Sequence, residues 1–367
     1  MPPAQYTELL RHEIRSRAHD VPVKEVSTVY FGGGTPSLFE PSLILSVINE
    51  LANAGFRIMK DAEVTIEIDP TTVDQVKLDA YLKMGFNRFS VGAQTFNSKL
   101  LALAGRKHSP KDTEELLDLL NHNQVNFSFD LLFGLPEQSL ADVAEDVVRA
   151  LSFNPPHLSA YCLTVPDTHP MAKSRAPEEE QVEMITMIED QLEKAGVLRY
   201  EISNYARPGF ESKHNLLYWT DQAYWGLGVA AHSYFPKHGP FGLRFWNAPS
   251  LKLYEDEMRA SGSLDGFSFH RDLPANSLER LEHHQALTDF CHTSLRLESG
   301  LEKNAMRLRF TEEDFAEIES RLARLLAEEF VRLTEKGWTL TARGRALSNL
   351  VFERLTFLKS DLLRTTN

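Results

Sequence analysis

The residues best able to do chemistry stand at the ends of four apolar, β-branched segments. The stretch "VYFGGGTPS" (29–37) ends in bare glycine backbone, and "IEIDP" (66–70) ends in two carboxylates, Glu67 and Asp69. "VGAQTF" ends in Gln94, and "FDLLFGLP" carries Asp130. Carboxylates bind an ammonium group or ribose hydroxyls, and glycine permits close approach of a ligand to the backbone. The pattern therefore favours a zwitterionic or sugar-bearing ligand.

Arg106, in "AGRKHS", adds a guanidinium that can hold a carboxylate in a bidentate way. The glycine run is neither the G-x-G-x-x-G fingerprint nor a P-loop, because no Gly-Lys-Ser/Thr follows it. Each feature alone has a structural alternative: a glycine turn, a buried acid at Asp130, a helix cap at Gln94. Their joint position at strand ends favours a binding site.

These segments belong to a strand-loop-helix rhythm that fills residues 1–206. Strands alternating with helices of this length are typical of βαβ units and a parallel sheet, either wound or barrel-like. Ligands of such sheets bind in the loops after the strand ends. Six strands are predicted, fewer than the eight of a closed barrel: 26–31, 63–68, 88–94, 126–136, 157–164 and 199–206.

Beyond residue 206 the rhythm stops. Residues 207–270 are rich in glycine, proline and aromatic side chains and are predicted to form an irregular segment covering the site. Residues 271–367 are predicted to be a helical domain that ends, like a winged helix, in a short hairpin and a last helix. DNA binding is the functional alternative for this domain. No basic face stands out beyond residue 300, so a packing role is favoured.

Composition excludes several classes of protein. The net charge of -13 over 367 residues argues against sequence-independent nucleic-acid binding, which needs dense Lys and Arg. No apolar run approaches the roughly 20 residues that span a bilayer, although peripheral membrane contact is compatible with the sequence. The two cysteines, Cys162 and Cys291, imply no disulfide framework and indicate a reducing compartment.

A second group of residues has the chemistry of a heme site. "KHNLLYW" holds His214, Asn215, Tyr218 and Trp219, and "AAHSYF" holds His232. Neutral imidazole is a common axial ligand of heme iron, and apolar and aromatic side chains suit the porphyrin face. The alternative is structural: Asn215 caps a short helix, His214 bonds a backbone group and the aromatic rings are core.

An ordered series of motifs along nearly the whole chain resembles the radical S-adenosylmethionine (SAM) proteins related to oxygen-independent coproporphyrinogen III oxidase. Within that group, "HNLLYW" and the C-terminal hairpin and helix resemble the heme chaperone (HemW-type) branch more than the oxidase. The series is "VYFGGGTPSLFEP", "EVTIEIDPTTV", "GFNRFSVGAQTFNSKLLALAGRKHS", "FDLLFGLPEQSL", "LSAYCLTVPDTHP", "YEISNYARPGFESKHNLLYW" and "GLGVAAHSY".

The resemblance implies a partial (β/α)₆ barrel that holds SAM across its strand ends. It implies that the glycine loop binds the methionyl amino group of SAM and that the neighbouring strand ends bind the rest of the cofactor. The SAM residues that it implies are Gly33, Gly34, Thr35, Glu67, Gln94, Arg106 and Asp130. It also makes His214 the heme-ligand candidate, with Asn215, Tyr218, Trp219 and His232 around the heme.

The sequence departs from the family in one respect. The C-x₃-C-x₂-C motif, whose three thiolates hold a [4Fe–4S] cluster after the first barrel strand, is absent. Cys162 and Cys291 cannot replace it, so the chain as written has no metal site. Either the first strand and its loop lie upstream of this chain, or the lineage lost the cluster. The amphipathic helix at the N-terminus and the intact SAM residues favour the first alternative.

The function expected from the resemblance is that of a heme chaperone, which binds heme and transfers it to client heme proteins, with SAM and a [4Fe–4S] cluster in the complete protein. A coproporphyrinogen III oxidase-like enzyme is the alternative. That activity is not expected, because it needs the missing cysteines and several basic residues at the barrel mouth. The third hypothesis is a degenerate binding protein that has no cluster. The expected location is the cytoplasm, or the mitochondrion of a eukaryote.

Overall fold

The computed structural model describes residues 1–166, 168–260 and 277–362. The chain divides into two units, which we call the sheet unit (27–42 and 60–213) and the helical unit (1–26, 43–59 and 214–367). The predicted aromatic segment, 207–270, and the predicted C-terminal domain, 271–367, extend into residues 261–276 and 363–367, which lie outside the described residues.

The sheet unit is built on one seven-stranded sheet, curled into a half-barrel, with the order β1-β2-β3-β4-β5-β7-β6. β2, β3, β4 and β5 pair in parallel, as the βαβ rhythm predicts. The predicted partial barrel is therefore confirmed. Its strands are β1 Glu25–Phe31, β2 Arg57–Ile68, β3 Arg88–Gln94, β4 Asn126–Phe133, β5 His157–Cys162, β6 Leu198–Arg199 and β7 Asn204–Ala206.

The predicted sixth strand, 199–206, is wrong as a single strand. The chain reverses between β6 and β7, which pair antiparallel with each other, and β7 runs antiparallel to β5. A turn causes the reversal: the Glu201 carboxylate accepts hydrogen bonds from the Ser203 backbone N–H, at 3.0 Å, and from the Asn204 amide. The half-barrel thus ends in a hairpin instead of a further βα unit.

The two faces of this sheet differ in chemistry because successive side chains point to opposite sides of a strand. On β4, Phe127, Phe129 and Leu131 lie on the apolar face and are at most 3% exposed, whereas Ser128 and Asp130 lie on the polar face. The register carries the polar face across the sheet, pairing Glu67 with Ser90, Ser90 with Ser128, and Asp130 with Ser159. Glu67 and Asp130 therefore share one polar surface.

Helices link the strands and begin where the sequence supplies caps. Ser109 and Asp112 form a reciprocal capping box at one helix, and Ser139 and Asp142 form another. The last helix of the unit buries Met184, Ile188 and Leu192 and lies against β4 and β5. The bounds are α3 Gln75–Lys83, α4 Ser98–Leu103, α5 Pro110–His122, α6 Leu140–Ser152 and α7 Glu178–Lys194.

The helical unit combines helices with two three-stranded sheets, β10-β9-β8 and β11-β13-β12. Its helices are α1 Pro3–Arg17, α2 Pro41–Asn53, α8 Lys213–Trp219, α9 Leu251–Ala260, α10 His283–Arg296, α11 Lys303–Arg309, α12 Glu312–Ala327, α13 Ala342–Ala346, α14 Ser348–Arg354 and α15 Lys359–Leu362. Its strands are β8 His232–Phe235, β9 Leu243–Trp246, β10 Leu278–Arg280, β11 Leu301–Glu302, β12 Val331–Leu333 and β13 Gly337–Leu340. The predicted C-terminal order of helix, hairpin and helix is present as α12, β12-β13 and α13-α14.

The expectation that residues 207–270 are irregular is wrong in part. The described residues of this segment contain α8, α9 and the antiparallel pair β8-β9, in which Tyr234 faces Arg244 and Phe235 faces Leu243. Short strands of this kind form through cross-strand packing, which single-sequence propensity does not show. No helix in the described ranges is both long and apolar enough to cross a bilayer.

A fully buried carboxylate holds the helical unit together. Glu13, on α1, is 0% exposed and accepts four hydrogen bonds of 2.6–2.9 Å. The donors are Arg17 on the same helix, the Gly228 backbone N–H, the Asn247 amide and the Tyr254 hydroxyl. One side chain thereby joins α1 to the loop before β8, the end of β9, and α9.

Gly226, in the same loop, allows the closest backbone approach in this region. A Cβ there would strike the His232 carbonyl oxygen and lie 3.0 Å from the Ala231 Cβ. We predict that Gly226→Ala costs about 3 kcal/mol, because the backbone of β8 must shift. Gly55→Ala is the matched control: its φ of +87° is strained for alanine, but it has open space and should cost only about 1 kcal/mol. Calorimetric unfolding temperatures compare the two, and a smaller loss for Gly226→Ala would contradict this packing.

Candidate functional site

Glu67 is the centre of the strand-end site in the sheet unit. Its Oε1 accepts a hydrogen bond from the Tyr30 hydroxyl at 2.7 Å, and its Oε2 accepts one from the Gly33 backbone N–H at 3.1 Å. The carboxylate at the end of β2 therefore fixes the loop that follows β1. Burial and the neighbouring Glu67 raise the pKa of Tyr30 well above its usual value, so its hydroxyl stays a donor at neutral pH.

The first glycine of the run is required by this contact. A Cβ on Gly32 would collide with the Tyr30 ring and would lie 2.6 Å from Glu67 Oε1. Gly33 and Gly34, in contrast, have no atom within 4 Å of the place where a Cβ would stand. Gly32 therefore serves the protein's own packing, while the next two residues present open backbone.

Gln94 lies at an irregularity of the sheet. The register between β3 and β4 shifts between Val91 and Gln94, and Gln94 has a φ of 68°, which is rare for a residue with a side chain. It is 5% exposed. A bulge of this kind redirects a side chain at the end of a strand, and such strain is concentrated at functional sites. The predicted role of Gln94 in binding stays a prediction.

Asp130 lies on the polar face of β4, in a place that disfavours its charge. Burial raises its pKa to about 6. A hydrogen bond from Ser159 opposes this shift, the negative charge of Glu67 adds to it, and the positive charges of Arg106 and Arg88 reduce it. The structure thus brings Glu67 and Arg106, two of the other candidate residues, within electrostatic reach of Asp130.

The other predicted SAM residue is in the same loop as Gly33 and Gly34. Thr35 precedes a single helical turn, Pro36–Leu38, and its carbonyl oxygen accepts a hydrogen bond from the Leu38 N–H at 3.0 Å. Its side chain makes no cap to that turn.

Sequence reasoning missed four residues of this site: Tyr30, Gly32, Ser159 and Tyr161. Tyr161 is on the polar face of β5, is 38% exposed, and has its pKa raised to about 12 by burial and by Asp130. The signal available in the sequence was alternation, since Ser159 and Tyr161 are two residues apart on one strand.

The predicted heme residues lie in the helical unit, and most of them share α8. His214 is half-buried, and its Nε2 is 3.0 Å from the Tyr218 hydroxyl one helical turn away, with the two rings edge to face. Asn215 lies inside α8, which begins at Lys213, so the alternative in which Asn215 caps a short helix is wrong. The helix has no fully buried residue.

Aromatic packing continues from α8 into the rest of the unit. Tyr218 packs edge to face on Tyr224 with ring centroids 4.6 Å apart. The Arg296 guanidinium lies 4.4 Å from the centre of the Trp219 ring, a cation–π geometry. His232 is exposed on β8 and stacks on Trp246 at 5.7 Å. The structure thus groups His214, Tyr218 and Trp219 on one helix and puts His232 on a different element.

The cysteines do not fit a [4Fe–4S] cluster. Cys162 ends β5, beside Gln181, and Cys291 is fully buried in α10. Burial raises the pKa of both thiols, to about 12 for Cys291, which disfavours the thiolate that binds iron. Within the described ranges no three His, Cys, Asp or Glu side chains are grouped as metal ligands.

Comparison with known proteins identifies a family model and several proteins that are similar to this chain. The model of the Radical SAM superfamily matches residues 3–150. The chain is 31% identical to the heme chaperone HemW of Bacillus subtilis over 362 residues, which cover 96% of this chain and 91% of that protein. It is 41% identical to the heme chaperone HemW of Synechocystis over 238 residues, 63% of this chain and 57% of that protein. The latter match spans less than two thirds of the relative.

Among solved structures, the coproporphyrinogen III oxidase HemN of Escherichia coli, a radical SAM enzyme, superposes with a TM-score of 0.77. The match covers 96% of this chain and 83% of that chain at 24% identity, and so supports the fold alone. Because it is 31% identical to the Bacillus protein over nearly the whole length of both chains, the chain belongs to the family of the proteins named heme chaperone HemW, within the Radical SAM superfamily whose model matches residues 3–150.

Proposed function

We propose that this protein is a heme chaperone of the radical SAM type, which binds heme as cargo and passes it to client heme proteins in the cytoplasm. The observation that carries the proposal is the alignment with the Bacillus heme chaperone over 96% of the chain, a range that includes most of both sets of candidate residues. The proposal has two parts, a heme site on α8 and a SAM site at the strand ends.

The heme site is centred on His214. Imidazole binds heme iron in its neutral form, through a ring nitrogen that carries a lone pair. Tyr218 and Trp219 supply aromatic surface, and Arg296 beside Trp219 supplies positive charge for a propionate. Asn215 and His232 are secondary candidates, His232 because its exposed ring could complete the coordination.

The SAM site would use the charges of the sheet unit. The negative charges of Glu67 and Asp130 repel each other across the polar face, and burial together with this repulsion raises the pKa of Asp130 to about 6. A ligand that brings an ammonium or sulfonium group would relieve this repulsion. Arg106 would take the carboxylate of the ligand, and the open backbone at Gly33, Gly34 and Thr35 would receive its amino acid part. Gln94 would contact the ligand from the bulge.

A [4Fe–4S] cluster, where a complete protein holds one, would supply the electron that cleaves SAM. A coproporphyrinogen III oxidase-like activity would require that step, and neither Cys162 nor Cys291 fits the cluster that it needs. The strand-end residues would therefore bind and orient SAM in this chain. We propose that SAM controls heme loading or transfer.

The heme part is tested by hemin titration. We predict that His214→Ala weakens hemin binding at least about tenfold and changes the Soret band, because the axial nitrogen is lost. His122→Ala, an exposed histidine at the end of α5, is the matched control and should bind like the wild type. Equal affinity of His214→Ala and wild type would refute this ligand. His232→Ala measures whether a second imidazole takes part.

The SAM part is tested by calorimetric titration with SAM. Glu67→Gln keeps an oxygen for the Tyr30 hydroxyl but removes the charge that faces an ammonium group, so we predict at least about tenfold weaker binding. Glu193→Gln makes the same change at an exposed position on α7 and should leave the affinity unaltered. If the two variants bind SAM equally well, the assignment of Glu67 is wrong.

The raised pKa of Asp130 is tested by the pH dependence of the protein's unfolding stability. Since the pKa of Asp130 is raised in the folded protein, the folded state is favoured at low pH and loses that stability as the pH rises to about 6. Asp130→Asn should therefore stabilise the protein by about 2 kcal/mol at pH 8 and by clearly less at pH 5. Asp118→Asn, on the exposed surface of α5, should show no such trend in unfolding temperature. A gain for Asp130→Asn that does not depend on pH would contradict the raised pKa.

A further inference from the structure

We propose that the hydroxyl of Tyr218 holds Nε2 of His214 in the heme-free protein and competes with iron for that nitrogen. The inference rests on the proposed function, in which His214 binds heme. It assigns to Tyr218 a role in setting heme affinity and release that goes beyond forming an aromatic wall.

The geometry of the pair carries the proposal. Tyr218 Oη and His214 Nε2 are 3.0 Å apart, within hydrogen-bonding distance, and the residues are one helical turn apart on α8. The ring of Tyr218 is held in place by Tyr224, 4.6 Å away between centroids, and by Trp219 at 6.2 Å. The hydroxyl is therefore fixed by packing as well as by its bond to the imidazole.

The chemistry of imidazole makes this contact exclusive. A neutral ring has one nitrogen with a free lone pair, and iron must take that lone pair. If Nε2 accepts from the hydroxyl, the lone pair is already in use; if Nε2 carries the proton and donates it, Nε2 has no lone pair to give. Nε2 is also the nitrogen farther from the helix backbone, so a flat porphyrin reaches it with less obstruction. Heme binding through Nε2 must therefore displace Tyr218.

A competitor of this kind suits a protein that has to release its cargo. When iron leaves His214, the hydroxyl of Tyr218 is one helical turn away and can take the nitrogen back. The exchange lowers the affinity for heme and makes transfer to an acceptor easier. The price is slower capture, because the hydrogen bond must open before iron can bind.

The test is a hemin titration and a stopped-flow measurement with Tyr218→Phe, which removes the hydroxyl and keeps the ring. We expect the dissociation constant for hemin to fall about fivefold and the association rate to rise, because a single hydrogen bond no longer has to break. Release to an apo heme protein should slow. Tyr224→Phe removes a hydroxyl from the neighbouring ring and should stay within about twofold of the wild type.

His214→Ala, measured in the same series, separates the two proposals. Loss of binding in His214→Ala together with tighter binding in Tyr218→Phe supports both. If His214→Ala loses binding but Tyr218→Phe binds hemin no more tightly than the wild type, competition by Tyr218 is refuted and His214 remains the ligand. If His214→Ala binds hemin as well as the wild type, the ligand assignment fails, and the competition proposal fails with it.

Discussion

A carboxylate removed from water must find hydrogen-bond donors or a cation, and this constraint acts inside each of the two units. Glu13 meets it entirely within the chain, through Arg17, Gly228, Asn247 and Tyr254. Those four contacts connect α1, α9, β9 and the loop before β8. The hydrogen-bonded carboxylate of Glu13 therefore stabilises the hairpin that carries His232. This carboxylate is structural because its chain partners supply all that it needs.

The strand-end carboxylates meet the same constraint less completely. Glu67 has Tyr30 and Gly33, two partners that order the loop after β1. Asp130 has a hydrogen bond from Ser159 and the positive charges of Arg106 and Arg88, which do not offset its burial and the repulsion from Glu67. The contrast with Glu13 distinguishes a carboxylate that builds the fold from a pair that would gain from a cationic ligand. It is the physical basis for proposing that the polar face of the half-barrel binds SAM.

The sequence predicts the parallel part of the fold well because its signals are local. Glycine and proline punctuate the strands, and Ser109 and Ser139 mark helix starts, so β1 and β3 to β5 are found within a few residues, whereas β2 begins six residues earlier than predicted. The prediction of a single strand over 199–206 is wrong because the chain reversal depends on a hydrogen bond to the side chain of Glu201, which strand propensity does not represent. The strands β8 and β9 are not predicted because they are short and are stabilised by pairing with each other.

The same distinction applies to the candidate residues. Motif order selects Gly33 and Glu67 as candidates because they lie at the ends of recognisable strands, and it selects Asp130 because it lies within another. It does not identify Tyr30 or Gly32, whose importance lies in a contact between strands that are far apart in sequence. The raised pKa of Asp130 and the bond between Tyr218 and His214 depend on burial and on side-chain placement. Such properties require the folded structure.

The most direct test of the account is a structure of the protein loaded with hemin. We predict that iron is bound to Nε2 of His214, that the porphyrin lies against the aromatic face of α8, and that the Tyr218 hydroxyl has moved off that nitrogen. Iron bound to another residue, with the contact between His214 and Tyr218 intact, would contradict it.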